Sequence, residues 1–379
     1  ERKKVLLLIV QASQLLNFTT SYSPGCTVAK KIELDKINKV LIRGTNWIGD
    51  VVMTFPAIAA VRETLPKARI TVLVKPWVAD LVRMHPAVDE VMVYERPGRH
   101  SGLGGLFALA RELRGKQFDA ALLLQNAIEA AIIAWLAGIP VRAGYSTDAR
   151  GLLLTHPVKR TPQILTVHQS IYYLEMLKAL GFRSSQGALR LAATEKQRLS
   201  AEKLLGQFGI AGRRPLVGMA PGAAYGPAKR WFPERFAAVA DRLAGRAACP
   251  VLLFGSDGDR ASTEAVQAAA KNPFIDIAGR TSLDDAIALI ARCDLFITND
   301  SGLMHVAGAL GVPTVAIFGS TNPQTTYPLG ERTVILRRPV DCSPCLKKEC
   351  PTDFKCMDLV TVDEVYGESV RLLAEAGYR

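Results

Sequence analysis

The stretch Asn299-Asp-Ser-Gly-Leu-Met-His305 sets an acid, a hydroxyl and an imidazole between an apolar run and a small-residue, helix-prone run. Residues of these types can grip a phosphate-bearing ligand. Free N–H groups of Ser301, Gly302 and Leu303 at a helix start would favour an anion. Asp300 could accept from sugar hydroxyls or orient a base, and His305, one turn into the helix, could bond a phosphate or a carbonyl. The same residues have plainer uses: Asn299, Asp300 and Ser301 can cap the helix, and a lone helical histidine is more often structural. A second place is the glycine- and proline-rich loop Ala220-Pro-Gly222-Ala-Ala-Tyr-Gly-Pro-Ala-Lys229-Arg-Trp-Phe-Pro233. Lys229 and Arg230 there could join free N–H groups on a diphosphate. A third is Phe254-Gly-Ser256-Asp257-Gly-Asp259, which suits ribose hydroxyls or an adenine edge, or else a tight turn and helix cap; capping is preferred for Asp259. The fourth is Asp50, which closes the turn Gly44-Thr-Asn46-Trp47-Ile-Gly49-Asp50. A carboxylate there suits a general base on an acceptor hydroxyl or the N-cap of a helix from Val51. Position alone leaves both open.

The elements that hold these residues alternate. Lys39–Arg43 reads as a first strand and Val51–Leu65 as a helix, with Pro56 in its tolerant first turns. Strands at 70–74, 90–94, 119–124 and 141–145 alternate with helices at 77–83, 103–114, 126–137 and 165–180. After a polar helical segment near 194–207 and a Gly/Pro linker, the alternation restarts at 216–220 and runs to strands at 314–318 and 334–336. Repeated β-α units of this length call for parallel sheets covered on both faces. The expected architecture is therefore α/β: two Rossmann-like parallel-sheet domains facing across a cleft. Residues 1–37 are read as an N-terminal extension, 38–208 and 209–360 as the two domains, and 361–379 as a closing helix packing back toward the first domain.

Composition narrows the function. The 379 residues are 49% apolar, enough for two cores, and hold no run of 18 apolar residues of the kind that spans a membrane. The start Glu1-Arg-Lys-Lys-Val-Leu-Leu-Leu-Ile-Val10 imitates an export signal, but its apolar core is short, and a plain extension is the preferred reading. The net charge of +12 is confined to one half: residues 1–205 carry 28 Lys+Arg against 16 Asp+Glu, and residues 206–379 carry 19 against 19. Such asymmetry suits a polyanionic partner, and with no nucleic-acid signature in view that partner is not DNA or RNA. No G-x-G-x-x-G follows either first strand and no P-loop is present, which excludes the usual dinucleotide oxidoreductases and NTPases. Cys342, Cys345, Cys350 and Cys356 cluster as C-x2-C-x4-C-x5-C. They fit a structural zinc or a reduced, metal-free loop, and the irregular spacing leaves both readings open.

Taken together, these blocks resemble the ADP-heptose:lipopolysaccharide heptosyltransferases, most closely the type that adds the second inner-core heptose. The resemblance covers about residues 39–379 and rests on Arg43-Gly-Thr-Asn-Trp-Ile-Gly-Asp50 with Val-Val-Met-Thr-Phe-Pro56, Pro221-Gly-Ala, Lys229-Arg-Trp-Phe-Pro233, Asn299–His305 and the cysteine cluster. It implies an inverting transferase of glycosyltransferase-B architecture, with ADP-L-glycero-D-manno-heptose as donor and a phosphorylated heptosyl-Kdo-lipid A glycolipid as acceptor. By the same resemblance Asp50 is the base and Lys229 steadies the leaving diphosphate. Gly222, Ser256, Asp257, Asp300, Ser301, Gly302, Leu303 and His305 line the donor pocket, and Asn46, Trp47, Gly49 and Arg150 meet the acceptor. No cofactor is required on this reading, since Lys229 and helix N–H groups can stabilise the diphosphate without a metal. The expected setting is cytoplasmic, in peripheral contact with the inner membrane, as a monomer. A different nucleotide-sugar transferase or epimerase of the same fold is the alternative, as is a non-catalytic polyanion binder.

Overall fold

The computed structural model describes residues 10–11, 26–28, 30–183, 191–247 and 249–378. The signal-like start at residues 1–9 lies outside the described residues. The chain divides into two compact units, Ser21–Leu189 and Arg190–Arg379, the latter together with Glu1–Thr20.

In chain order the strands are β1 Val10–Gln11, β2 Thr27–Val28, β3 Lys39–Arg43, β4 Arg69–Val74, β5 Glu90–Val93, β6 Ala120–Leu123, β7 Val141–Tyr145 and β8 His156–Lys159. They continue as β9 Val217–Ala220, β10 Val251–Leu253, β11 Ile275–Asp276, β12 Leu295–Asn299, β13 Thr314–Phe318 and β14 Thr333–Arg337. The first unit's sheet runs β2-β8-β7-β6-β3-β4-β5 and the second's β1-β14-β13-β12-β9-β10-β11. Each is six parallel strands with one two-residue antiparallel strand on its edge. Strands such as Val40-Leu41-Ile42 and Leu295-Phe296-Ile297 are buried throughout. That is the expected character of a sheet covered by helices on both faces.

The order of strands fixes where ligands can sit. Chain direction across the first sheet reverses between β3 and β6, and across the second between β9 and β12. At such a switch point the loops leaving the two strands part to opposite faces and open a crevice at their carboxyl ends. The Gly44–Asp50 turn follows β3, and Asp300 follows β12.

Four sequence expectations are corrected. The helix Glu195–Gln207 belongs to the second unit: Gln197 Nε2 donates to Asp284 Oδ1 at 2.6 Å and Ser200 Oγ to Asp285 Oδ1 at 2.8 Å, both on helix Leu283–Ile290. The closing helix, Val362–Glu375, also stays with the second unit. Its Val365, Leu372 and Leu373 share a core with Val239 and Leu243 of helix Pro233–Ala247. Part of the extension is built in, since β2 pairs with β8, β1 pairs with β14, and buried Ile32 donates its N–H to Leu180 O. Finally, the sequence reading had no strand at His156–Lys159. Pro157 lacks a ladder donor and argues locally against a strand, yet among the described residues it pairs only with Gly144 of β7, while edge strand β2 pairs with Val158 and Lys159.

Candidate active site

In the second unit, β9, β12 and β13 are adjacent and in register, with Thr298 opposite both Ala220 and Ala316. The loops that leave them therefore emerge at one level. The loop from β9 carries Lys229 on the short 3-10 turn Pro227–Lys229. Its ammonium lies 2.6 Å from Asp300 Oδ2, and Thr321 Oγ1, from the loop after β13, donates to the same oxygen at 2.6 Å. Asp300 is 4% exposed, so the carboxylate and ammonium neutralise one another where water reaches them poorly.

Asn299 ties this arrangement together. Fully buried, it accepts from Trp231 N through Oδ1 at 3.0 Å and donates from Nδ2 to Pro221 O at 2.7 Å. Both ends of the lysine loop are thus held to the end of β12. Trp231 is itself buried and bonds Val360 O through Nε1 at 3.0 Å. The sequence reading offered Asn299 only as a helix cap; the observed cap position is Ser301, with no side-chain cap bond. Thr321 was missed. The signal for it was Ser320-Thr-Asn322, a polar loop after a buried strand at the same sheet edge as the others.

His305 is 3% exposed on helix Gly302–Ala309, and its Nδ1 has no hydrogen-bond partner among the described residues. Burial lowers its pKa to about 4; the charge of Asp300 works the other way and that of Lys229 adds to the fall. The imidazole is neutral at pH 7, so it can offer a ring N–H or a lone pair beside a cation and a helix start whose N–H groups are free.

The remaining donor-side expectations have local partners. Ser256 caps the turn Asp257–Asp259: its Oγ donates to Asp259 Oδ2 at 2.6 Å and its N–H to the same atom at 3.0 Å. Asp259 is the acceptor of that capping box, but at the N-cap of helix Arg260–Ala269 it makes no side-chain cap bond. Asp257 is exposed and pairs with Arg260 at 3.0 Å. Gly222 is required by packing, because a Cβ there would stand 2.2 Å from Asp259 Oδ1.

Among the described residues no group of three or more His, Cys, Asp or Glu is placed to hold a metal ion, while Cys342, Cys345 and Cys350 lie close enough to Cys356 to add to the upward push that burial gives its pKa. Cys342 is exposed, Cys345 and Cys350 are half-buried and Cys356 is buried. The loop that carries them is held to its neighbours by hydrogen bonds. Lys348 O accepts from Ala228 N at 2.9 Å, Leu346 O from Tyr225 Oη at 2.6 Å, and Ser320 O from Leu346 N at 2.8 Å. The segment therefore backs both the Lys229 loop and the Thr321 loop. Gly226, at φ +152°, permits the contact, since a Cβ would meet Lys348 O at 2.4 Å.

In the first unit the helix after β3 begins earlier than expected, at Ile48, with Trp47 as a cap residue that makes no side-chain bond. Asp50 is thus the third helical residue and not the N-cap read from sequence. It is half-buried, close enough to Tyr173 that its charge, after burial, helps push that phenol's pKa up. The turn before it is pinned from both sides. Arg43 donates through Nη1 to Gly44 O at 2.5 Å and Leu73 O at 3.2 Å, and through Nη2 to Asn46 Oδ1 at 3.2 Å; Trp77 Nε1 donates to Asn46 O at 2.7 Å. Gly49 is buried and Trp47 is 65% exposed. Arg150, expected to touch the acceptor, is fully buried. It donates to Tyr145 O at 2.6 Å, to Gln125 O, and to Asn126 Oδ1 at 3.1 Å. It braces the loops after β6 and β7, and the reading of Arg150 as a direct acceptor contact is corrected.

An acid just past the switch point of one Rossmann-like unit, and a lysine beside a helix start at that of the other, describe a two-domain sugar transferase. The family model for glycosyltransferase family 9 (heptosyltransferase) matches residues 106–355, and the chain belongs to that family. It is similar to lipopolysaccharide heptosyltransferase 2 of Escherichia coli K12, 32% identical over 315 residues that cover 79% of this chain and 88% of that protein. Lipooligosaccharide heptosyltransferase 2 of Haemophilus influenzae is likewise 32% identical, over 318 residues, with the same coverage. Among solved structures, E. coli ADP-heptose LPS heptosyltransferase II superposes with a TM-score of 0.77 at 30% identity, covering 89% of this chain and 99% of that one. A family 9 glycosyl transferase from Veillonella parvula superposes with a TM-score of 0.80 at 28% identity, covering 91% and 99%.

Proposed function

We propose that this enzyme moves L-glycero-D-manno-heptose from its ADP donor to the heptosyl-Kdo-lipid A inner core, with inversion, during lipopolysaccharide core synthesis. The observation that carries the donor side is the Lys229–Asp300–Thr321 cluster beside neutral His305 and the start of helix Gly302–Ala309. A diphosphate entering there meets an ammonium whose present partner is a single carboxylate, together with unpaired helix N–H groups. Ser301, Gly302 and Leu303 supply those groups, while Ser256 and Asp257 stand at the next strand end for the nucleoside.

The reaction is one displacement. Asp50 accepts the proton of the acceptor hydroxyl as its oxygen bonds the anomeric carbon. The bond from that carbon to the diphosphate breaks, and its electron pair leaves on the phosphate oxygen. Lys229 and the helix N–H groups stabilise that charge. The first unit supplies the base and the second the donor grip; Asn46 and Trp47 face the acceptor from the turn that buried Gly49 closes. The glycolipid acceptor sets the work at the cytoplasmic face of the inner membrane. Among the described residues no helix is long and apolar enough to cross it.

The test is mass spectrometry of product from ADP-heptose and a truncated lipopolysaccharide acceptor, run on wild type and Asp50→Asn in buffer with EDTA. Wild type is expected to turn over undiminished, and Asp50→Asn to lose roughly 10²–10⁴-fold in kcat while remaining folded. Near wild-type turnover in Asp50→Asn would remove the base. Thermal stabilisation by UDP and not by ADP would remove the donor.

A further inference from the structure

The helix Ile128–Leu136, Ile-Glu-Ala-Ala-Ile-Ile-Ala-Trp-Leu, turns an apolar face outward as well as inward. Ala130, Ala131, Ile133 and Ala134 are buried in the first unit's core. A surface helix ordinarily turns charge to the other side. Here the outer positions are Ile128 at 41% exposure, Trp135 at 53%, and half-buried Ile132 and Leu136. Its one ionisable residue, Glu129, is engaged by Tyr94 and Arg96.

The same layer continues on both sides. Helix Gly102–Lys116 packs against Ile128–Leu136 through the shared core and holds Leu103 and Phe107 outward, 77% and 58% exposed. The 3-10 turn Arg150–Leu153 packs on the other flank and leaves Leu152 at 96% exposure. Single exposed leucines are commonplace, but five large apolar side chains on one packed layer are a patch. Leu103 and Ile128 also lie in the first turns of helices that follow β5 and β6. The patch therefore reaches the strand-end edge where the Asp50 turn lies.

The rim of this patch is cationic. Over residues 96–116 five Lys+Arg stand against Glu112, in a half-chain (residues 1–205) whose net charge is +12; Arg96, Arg99 and Lys116 also pair with Glu129, Glu95 and Glu90, Arg114 donates to Leu136 O at 2.7 Å, and Arg99, Arg111 and Arg114 are exposed. We infer that this layer docks the first unit onto an anionic bilayer, the apolar side chains entering the headgroup boundary and the arginines meeting lipid phosphates. The inference rests on the reading of the acceptor as a membrane glycolipid and names the surface that brings the enzyme to it. A helix with apolar and aromatic residues framed by arginine lies in the interface plane without spanning it.

The full chain is spun with sucrose-loaded vesicles of phosphatidylcholine, with and without phosphatidylglycerol, none containing acceptor. Wild type is expected to sediment with the anionic vesicles and to release as salt rises. Phe107→Ser/Trp135→Ser and Arg99→Gln/Arg111→Gln should each lower the partition coefficient at least tenfold. Their melting temperatures, and their turnover on a deacylated, water-soluble acceptor, should match wild type. Equal partitioning of variants and wild type would overturn the surface. So would a concentration-dependent dimer that the double serine variant abolishes, with no vesicle binding. Vesicle binding without heptosyl transfer would leave the surface standing and remove the proposed function, and transfer without binding would do the reverse.

Discussion

The two units bury their cations in different ways. In the first, Arg43 and Arg150 are 1% and 0% exposed, and the groups that receive their N–H bonds are carbonyl oxygens and the side chains of Asn46 and Asn126. Burial pulls both guanidinium pKa values down to about 10, which leaves them charged at neutral pH. Lys75 behaves alike: it donates to Arg96 O at 2.9 Å and sits 3.8 Å from the Tyr94 ring centroid. In the second unit Lys229 is answered by a carboxylate, Asp300. Carbonyl dipoles hold a cation in place without cancelling its charge, so the first unit's strand ends stay positive toward an anionic acceptor. An ion pair cancels charge until a better anion arrives, which suits the diphosphate grip proposed above. One fold thus carries fixed positive charge in one unit and exchangeable charge in the other.

The contrast breaks most directly at Arg150. Arg150→Met keeps much of the stem but strands the carbonyls of Tyr145 and Gln125 and the amide of Asn126. Losing several buried charge-assisted bonds should cost about 4 kcal/mol, read as a lower urea midpoint with kcat retained in whatever remains folded. An unchanged midpoint would mean that these carbonyls find water and that the arginine is no brace. Lys229→Ala should do the opposite, with a modest stability loss but a kcat lower by roughly 10²–10³-fold and no thermal shift by ADP. The double variant Lys229→Ala/Asp300→Ala sharpens this. Each single change leaves one buried charge uncompensated, so the pair should couple by about 1–3 kcal/mol, with the double variant no less stable than Asp300→Ala. Additive losses would show that the 2.6 Å contact does not persist in solution.

What could be read from the chain follows from the range of each interaction. The β-α alternation was legible because burial on two faces writes continuous apolar runs, and the switch-point loops were legible because glycine and acid follow those runs directly. Arg150 was misread because a lone arginine in a polar loop carries no local sign of the carbonyls that will surround it, two of them more than 20 residues away. Asn299 was read as a cap for the same reason: its partners, Pro221 and Trp231, lie 78 and 68 residues earlier. The helix Glu195–Gln207 carries its own start signal, a Thr194–Gln197 capping box. Nothing local says that its outward polar groups will bond Asp284 and Asp285.

The smallest effect compares two buried histidines, one in each unit. Burial depresses both His85 and His305 to about 4. The unfolded chain takes up these protons near pH 6.5 while the folded one refuses them until about 4, so the unfolded state binds more protons throughout that window. Each imidazole's contribution to stability is therefore complete above pH 6.5 and is lost as pH falls toward 4. Between pH 7 and 5 each should remove about 2 kcal/mol. The two differ in their partners. His85 uses both ring nitrogens, with Phe55 O and Ala87 N each at 3.1 Å, whereas Nδ1 of His305 has no partner among the described residues. His85→Gln should therefore flatten the acid slope and also lower stability at pH 7. His305→Gln should flatten the slope by a similar amount at little cost at pH 7, since it surrenders fewer bonds. Urea midpoints at pH 5, 6 and 7 separate the two. If His305→Gln kept the wild-type slope, the imidazole would be titrating as in water, and the neutral, ligand-facing histidine assigned to the donor site would be lost with it.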